Sequence, residues 1–571
     1  MLELGRKRRV AIGAAAGIGA GMAMVPAAQA ADFTVNNTND DGAGSLREAI
    51  TFANLTPATG DRILFQSGLS GRVELESDLP ALNGPLVIEG PGAADLAIDG
   101  NESFGIFSTT SDTTVTGLTL ANGDAAGGGA IGSDGGDLIL EGVHLDGNSA
   151  TSGGAVWING TSLELRDSEV SGNTATEGAG ILATGSVVTV TGSKISGNQA
   201  LTGIAMGGGI SITGDPSTRL TVDGSEISGN AAQRGGGIFT LGAQTEIDSS
   251  LIVGNSAMYS AGMGLGGLSF ATQDSITNST ITENVATVAG GGITGVNNNL
   301  KLDSSTVTGN KVTSPPLPFA KGAGFAMGGG GSEISNSIVS GNTPADLSTL
   351  PSTTYPVAVP AGSIDGSFSL IGEKSDALFA ESVAGSNIAS TDPQLGPLAE
   401  NGGPTRTMLP ADTSPAVNKG MSPLTVDQRG LTRPIDFNSI PFSTAAGANG
   451  ADIGAVELQG GPLPPPPDNA FSFGKVKLNK KKGVATLQVK VPGAGKVLLA
   501  GSKTVARSSK TSRGAATVNL TVKAKGRAAK QLKKKGSVKV KAKVSFTPTG
   551  GTAETKSKTV KLAKKKVKRR K

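Results

Sequence analysis

The sequence predicts an all-β protein: a right-handed parallel β-helix of about 25 residues per coil, followed by a small basic β-sandwich. Three observations predict it. An Asn recurs at Asn148, Asn173, Asn198, Asn230, Asn255, Asn284, Asn310 and Asn342, at intervals of 25 to 32 residues. Aligned on it, the residue three before is always aliphatic, Leu145 through Val339, as is the residue eight before, Leu140 through Ile334. The residue five before is Ser in seven of eight copies, Ser168 to Ser337. Finally, Gly makes up 86 of 571 residues while aromatics are 3% and charged residues 17%, which suits neither a helical bundle nor a charged disordered chain.

The first thirty residues read as a signal peptide. Arg6-Lys7-Arg8-Arg9 is a basic start, Val10 to Met24 is apolar, and Ala28-Gln29-Ala30 has the small-x-small form of a cleavage site, placing the cut after Ala30. The apolar run is shorter than the ~20 residues that span a bilayer, and the mature chain contains no longer one, so an exported, extracellular or surface location is expected. Residues 31–60 follow as an N-terminal cap. Ser45-Leu46-Arg47-Glu48 is a capping box opening a short helix whose Leu46, Ile50 and Ala53 share a face, suited to plug the open end of a stack.

Residues 61–342 are the repeats. Each unit holds short β-branched segments of period two, separated by Gly or Asn, with room for three strands and three turns. Coils stacking at ~4.8 Å turn aligned positions into columns. Aliphatics then fill the interior, and the Asn and Ser columns hydrogen-bond along the axis where the backbone turns. A leucine-rich repeat shares the look of Leu163-x-Leu165-x-x-Ser168-x-Val170-x-x-Asn173, but its return carries more Leu, whereas here the return is of the form Gly235-Gly236-Gly237-Ile238. Residues 343–459 lose the period and are expected as irregular coils plus a closing cap. A Pro-rich linker spans 460–469, a basic sandwich 470–560 with alternating Val and Leu, and a polybasic tail 561–571.

Charge divides the same way. Residues 471–571 hold 31 of the 50 Lys+Arg and one acid, Glu554, a net of +30, whereas residues 31–470 carry −29. The basic region is therefore expected to attach to an anionic cell-wall or extracellular polymer, or to pair with an acidic rod.

Few residues offer chemistry. With no Cys and a single His, His144, thiolate chemistry and His/Cys zinc sites are excluded, and His144 stands where other repeats carry Glu or Lys. Seven residues before the ladder Asn is a variable outward column, Glu141, Arg166, Thr191, Asp223, Asp248, Thr277, Asp303 and Ser335. Asp223 and Asp248 would lie ~5 Å apart on successive coils, near the separation of the carboxyl pair in retaining glycosidases. Asp223, Asp248 and Asp303 are thus the candidates were the protein an enzyme, with Arg166 a distant base and calcium between carboxylates the one cofactor to consider. One column on one face supplies no second carboxylate across a scissile bond, and no catalytic residue is predicted.

These residues resemble known secreted families. Phe33-Thr34-Val35 leading to Ser45-Leu46-Arg47-Glu48-Ala49-Ile50 resembles the CSLREAI segment of bacterial β-helix proteins, with Gly44 in place of the Cys. Repeats such as Ile227-x-x-Asn230 and Gly235-Gly236-x-Ile238 are similar to those of polymorphic outer-membrane proteins. Asp392-Pro393-Gln394, Asn401-Gly402-Gly403-Pro404, Asp427-Gln428-Arg429-Gly430 and Asp452-Ile453-Gly454-Ala455-Val456-Glu457 together resemble the choice-of-anchor Q domain. The resemblance implies a pectin lyase-like architecture at a surface, and brings no catalytic residues. The expectation is a non-enzymatic, adhesin-like or polysaccharide-binding rod with a polycationic attachment domain; the alternative is a carbohydrate-active enzyme, a lyase or hydrolase, using carboxylates on the rod.

Overall fold

The structure, a computed structural model, describes residues 30–565 apart from 56, 58–59, 201–202, 204, 268–272, 315–321, 350–361, 376–377, 437–439, 460–467 and 549–552. Residues 1–29, which hold most of the expected signal peptide, the core of the Pro-rich linker and residues 566–571 lie outside the described residues. No helix among those described is long and apolar enough to cross a membrane.

The predicted right-handed β-helix is present. Its parallel sheets have fourteen, thirteen, eleven and eight strands, each pairing with the equivalent strand of the next coil. One coil shows the plan: Ser162–Arg166 on the first face, Glu169–Ser171 on the second, Thr174–Glu177 on the third, Ile181–Thr184 on the fourth, and back to Val187–Thr191 on the first. A coil therefore has four strands, not the expected three. The extra one is built from the residues just after the ladder Asn. Its signal is an Ala two positions beyond each Asn, Ala150, Ala175, Ala200, Ala232, Ala257 and Ala286, with Val312 in the next copy. From Ala175 onward these side chains belong to two small clusters outside the main core.

Both polar ladders are in register. Asn230 receives hydrogen bonds at Oδ1 from the Asn198 backbone N–H (3.0 Å) and Nδ2 (2.9 Å), while its own Nδ2 donates to Ile195 O and Asn255 Oδ1, both at 3.0 Å. The pattern continues from Asn148 to Asn310, and Asn342 closes it by donating from N and Nδ2 to Asp346 Oδ1. Beside it, each Ser backbone N–H donates to the Ser hydroxyl of the next coil, as in Ser225 to Ser250 at 3.1 Å. Fully buried amides thus satisfy the turn groups that a strand ladder misses. The Gly runs follow from the same packing. Gly235 has φ +63°, but Gly237 is needed for space: a Cβ there would lie 2.6 Å from Gly262 O and 3.1 Å from the Asn255 amide.

Helix α1 (Leu46–Leu55) plugs the first coil with Leu46, Ala49, Ile50 and Ala53. Half of the capping box forms, Ser45 Oγ accepting from Glu48 N at 3.1 Å, while Glu48 Oε2 accepts from Gly44 N at 2.5 Å, one residue before the N-cap, whose own N–H donates to Gly42 O. At the other end, strands continue irregularly to Ile388–Ala389. Within the 343–459 stretch expected as irregular coils plus a closing cap, the described residues of 391–458 run as a strap along the flank of earlier coils: Arg406 reaches Glu226, Gln428 reaches Ser250 and Thr280, and Ala455 N donates to Thr306 Oγ1.

Strands from Ser472–Asn479 to Glu554–Ala563 form a sandwich of a three- and a four-stranded antiparallel sheet around Leu487, Val497, Leu520, Val544 and Phe546. The first, second and fifth strands share one sheet, an immunoglobulin-like arrangement. The last strand overruns the expected boundary at 560. Helix α2 (Gly526–Lys535) was not expected, because only Ala528 and Leu532 of its lysine-rich turns are buried. Gly536 ends it at φ 77°, its N–H donating to Leu532 O, and Lys533 to Lys535 sit at the dipole's negative end.

Candidate functional site: an acidic groove beside a buried clamp

The outward column pairs as predicted, Asp223 opposite Asp248 and Asp248 opposite Thr277. What the sequence did not reveal is the wall beside it. Leu424, Thr425 and Val426 of the strap stand over the column and enclose a groove of about 520 Å³, whose floor is Thr221, Asp223, Glu246, Asp248, Ser275 and Thr277. Asn278, in the left-handed turn at φ 47°, ties the wall down through Nδ2 to Val426 O at 3.2 Å. Val426 stays 43% exposed, so one side of the groove is apolar and the other carries carboxylates and hydroxyls.

Asp248 is exposed to the groove, yet partial desolvation of its carboxyl, then the neighbouring Asp223 charge, pushes it above the usual range. Glu246 is held by Arg219. Asp303 is placed differently: it is buried two coils further on, bonded by Ser304 Oγ at 2.9 Å, and does not line the groove. Arg166 lies two coils back, pairs with Glu164 and faces solvent. His144 is exposed in a column with Glu169, Lys194 and Glu226. Among the described residues no three His, Asp or Glu side chains converge as a metal site, and none places a carboxylate on the groove wall facing Asp223 and Asp248.

The charged motifs of the strap have a structural role. Arg429 and Arg433 are buried with Asp427, Asp452 and Glu457. Arg429 donates to Asp427 Oδ2 (2.7 Å) and Glu457 O (2.6 Å), and Arg433 to Glu457 Oε2 (3.0 Å) and Gly454 O (2.6 Å). Each carboxylate also accepts from backbone N–H groups: Asp427 from Leu431 and Glu457, Asp452 from Asn418 and Leu458, Glu457 from Ile435 and Asp452. Three carboxyls against two guanidiniums leave one in excess, and burial with the Glu457 charge raises Asp452 to about 7. This clamp holds the groove wall; its carboxylates are all engaged, and only Arg429 Nη1 is left without a hydrogen-bond partner.

A second buried carboxyl interrupts the rod's aliphatic interior. Asp274 accepts from Thr245 N (2.8 Å) and Asn298 Nδ2 (2.6 Å), while Asn298 Oδ1 is left without a partner. Burial raises its pKa to about 6, against the opposing pull of those hydrogen bonds. A folded value above the unfolded one means that the proton stabilises the fold. That contribution is full below about pH 4 and is lost as pH rises through about 6. Asp274→Asn is therefore expected to raise the melting temperature at pH 8 and to change it little at pH 4.5, by an amount worth about 2 to 3 kcal/mol at most. Once the Asn298 amide turns over to present its idle Oδ1, the new amide can donate to it. Thermal unfolding at the two pH values checks this; equal shifts at both would refute it.

Residues 153–343 match a protein family, the right handed beta helix region. Among solved structures, the chain is similar to the catalytic domain of a GH87 alpha-1,3-glucanase in complex with nigerose, with 12% identity and a TM-score of 0.33 over 62% of this chain and 69% of that one. A variant of that domain in complex with tetrasaccharides gives 11%, 0.32 and the same coverage. Likeness at this level has no bearing on activity. No curated protein matches the chain.

Proposed function

We propose that this protein is an exported surface rod that binds polysaccharide in the Asp223–Asp248 groove and attaches through its basic residues 471–571 to an anionic polymer. The groove carries the reading. A pyranose ring has hydroxyls around its edge and C–H groups on its faces, and the groove sets carboxylate and hydroxyl acceptors opposite the apolar Leu424–Val426 wall. Attachment rests on the opposite net charges, −29 on the rod side and +30 beyond residue 470.

A glycoside hydrolase is the second reading, favoured by the raised carboxyl of Asp248 beside Asp223. It is disfavoured because no described residue places a carboxylate across the groove. One experiment tests both: measure binding of neutral oligosaccharides by the full chain and follow polymer length over time. Asp223→Ala/Asp248→Ala is expected to weaken binding about tenfold or more, a loss of about 1.4 kcal/mol, at unchanged melting temperature and with no polymer shortened by either protein. Unchanged affinity would reject the groove as the binding site. Shortening by the parent alone would make it an enzyme.

A further inference from the structure

The basic sandwich does not hang free in this structure; it lies against the first coils. Arg507 donates through Nη1 to Asp95 Oδ2 at 2.8 Å and to Pro91 O at 3.4 Å. It crosses Gly92, whose φ is +130° and where a Cβ would collide with the guanidinium. The Lys525 side chain likewise lies over Gly68 and its Nζ meets Ser70 Oγ at 3.4 Å. Between these two contacts is a cleft of about 910 Å³.

The cleft has a distinct chemistry. From the sandwich, Lys496 and Lys503 line it together with Ser502, Ser508 and Ser509, and Lys525 closes one side. None of these three lysines has a carboxylate partner among the described residues, whereas Arg507 is already paired with Asp95. The rod contributes Ser67 and Ser70, the apolar surfaces of Leu69, Ala93 and Ala94, and the single carboxylate of Asp167 beyond Asp95. Ammonium groups without a carboxylate partner, beside hydroxyls and small apolar patches, match a saccharide that carries spaced anionic groups.

We infer that this cleft is a binding site for an acidic saccharide chain, one bearing uronate carboxylates. The inference rests on the reading of the protein as a saccharide-binding rod. Electrostatics selects the place. An anionic chain is repelled along the acidic rod and drawn to the basic sandwich, and the cleft is where the sandwich lysines face hydroxyls and apolar surface of the rod. Separate ammonium point charges need no fork geometry and suit anionic groups spaced along a chain, and the one guanidinium here is already occupied. The neighbouring serines then read the sugar hydroxyls, so that charge alone does not define the ligand.

The test uses the full chain and a fluorescently labelled oligogalacturonate, with a neutral malto-oligosaccharide of equal length and inorganic polyphosphate as comparisons. Lys496→Ala/Lys503→Ala/Lys525→Ala is expected to weaken oligogalacturonate binding about tenfold or more. Lys539→Ala/Lys541→Ala/Lys543→Ala removes the same charge from the exposed side of a sheet strand and is expected to cost less than about threefold. Arginine at the three cleft positions should restore most of the binding. Equal losses from both triple variants, or polyphosphate bound as tightly as the uronate and lost in parallel, would overturn the inference in favour of undirected polycation binding. So would no binding of the uronate at all. Neutral oligosaccharide binding at the Asp223–Asp248 groove, measured on the same samples, separates the two proposals: uronate binding absent with groove binding intact removes only the cleft, and loss of groove binding removes the earlier reading.

Discussion

Arg433→Met is expected to release the strap and destabilise the protein by about 3 to 5 kcal/mol, the cost of removing one partner from a buried ion network. The side chain is among the largest that are fully buried, and it joins Glu457, the Gly454 carbonyl and Asn278 of the rod at once. Without it three buried carboxyls would share one guanidinium, and the excess charge already present at Asp452 would grow. Protonation can relieve that excess, so the variant should be damaged less at pH 5 than at pH 8. Asn278 also anchors the wall at Val426, and groove binding should fall with stability. Chemical denaturation at both pH values is the check. A loss below about 1 kcal/mol, or one independent of pH, would mean that the clamp is not what holds the strap.

Asn255→Ala has the other large expected effect, about 3 kcal/mol or more. Its Oδ1 accepts from Asn230 N (2.9 Å) and Nδ2 (3.0 Å), and its Nδ2 donates to Ile227 O (3.0 Å) and Asn284 Oδ1 (2.9 Å). Truncation leaves the Asn230 backbone N–H unpaired where no water reaches, at about 1 to 3 kcal/mol, and removes the side-chain bonds to Asn230 Nδ2, Ile227 O and Asn284 Oδ1 as well. Asn255→Asp should be nearly as damaging, because a carboxylate can accept from Asn230 but cannot donate to Ile227 O. Hydrogen exchange should show lost protection in the coils on either side of residue 255 before the rest of the rod. Wild-type-like protection in the Asp variant would show that donation from this column is unimportant.

The Asn and Ser columns, the aliphatic interior and α1 were legible because each depends on residues at a fixed spacing. A parallel coil maps spacing directly onto contact: residue n stacks on residue n+25, and a buried position repeats its chemistry. The fourth strand was less legible. Its inward residue is only Ala, which also reads as part of a Gly-rich turn, and the Ala column becomes visible when the Asn is used as the reference. Helix α2 was hidden by its lysines. The pairing of Asp223 with Asp248 was read correctly, but Asp303 in the same column is sealed and Asp248 is raised, since the strap covers the rod unevenly.

By itself, then, the sequence determined the coil, its period, its two amide and hydroxyl ladders, the plugged first turn and the separation of charge along the chain. All of these follow from local pattern or from translation by one repeat. Only the tertiary structure decided where residues 391–458 and the basic sandwich lie, and therefore that Asp223 and Asp248 line a walled groove and that Lys496, Lys503 and Lys525 converge over the first coils. Those placements join residues more than a hundred and up to several hundred positions apart, such as Asn278 with Val426 and Asp95 with Arg507. They are set by non-repeating side-chain fits and by charge, for which no periodic signal exists in the chain.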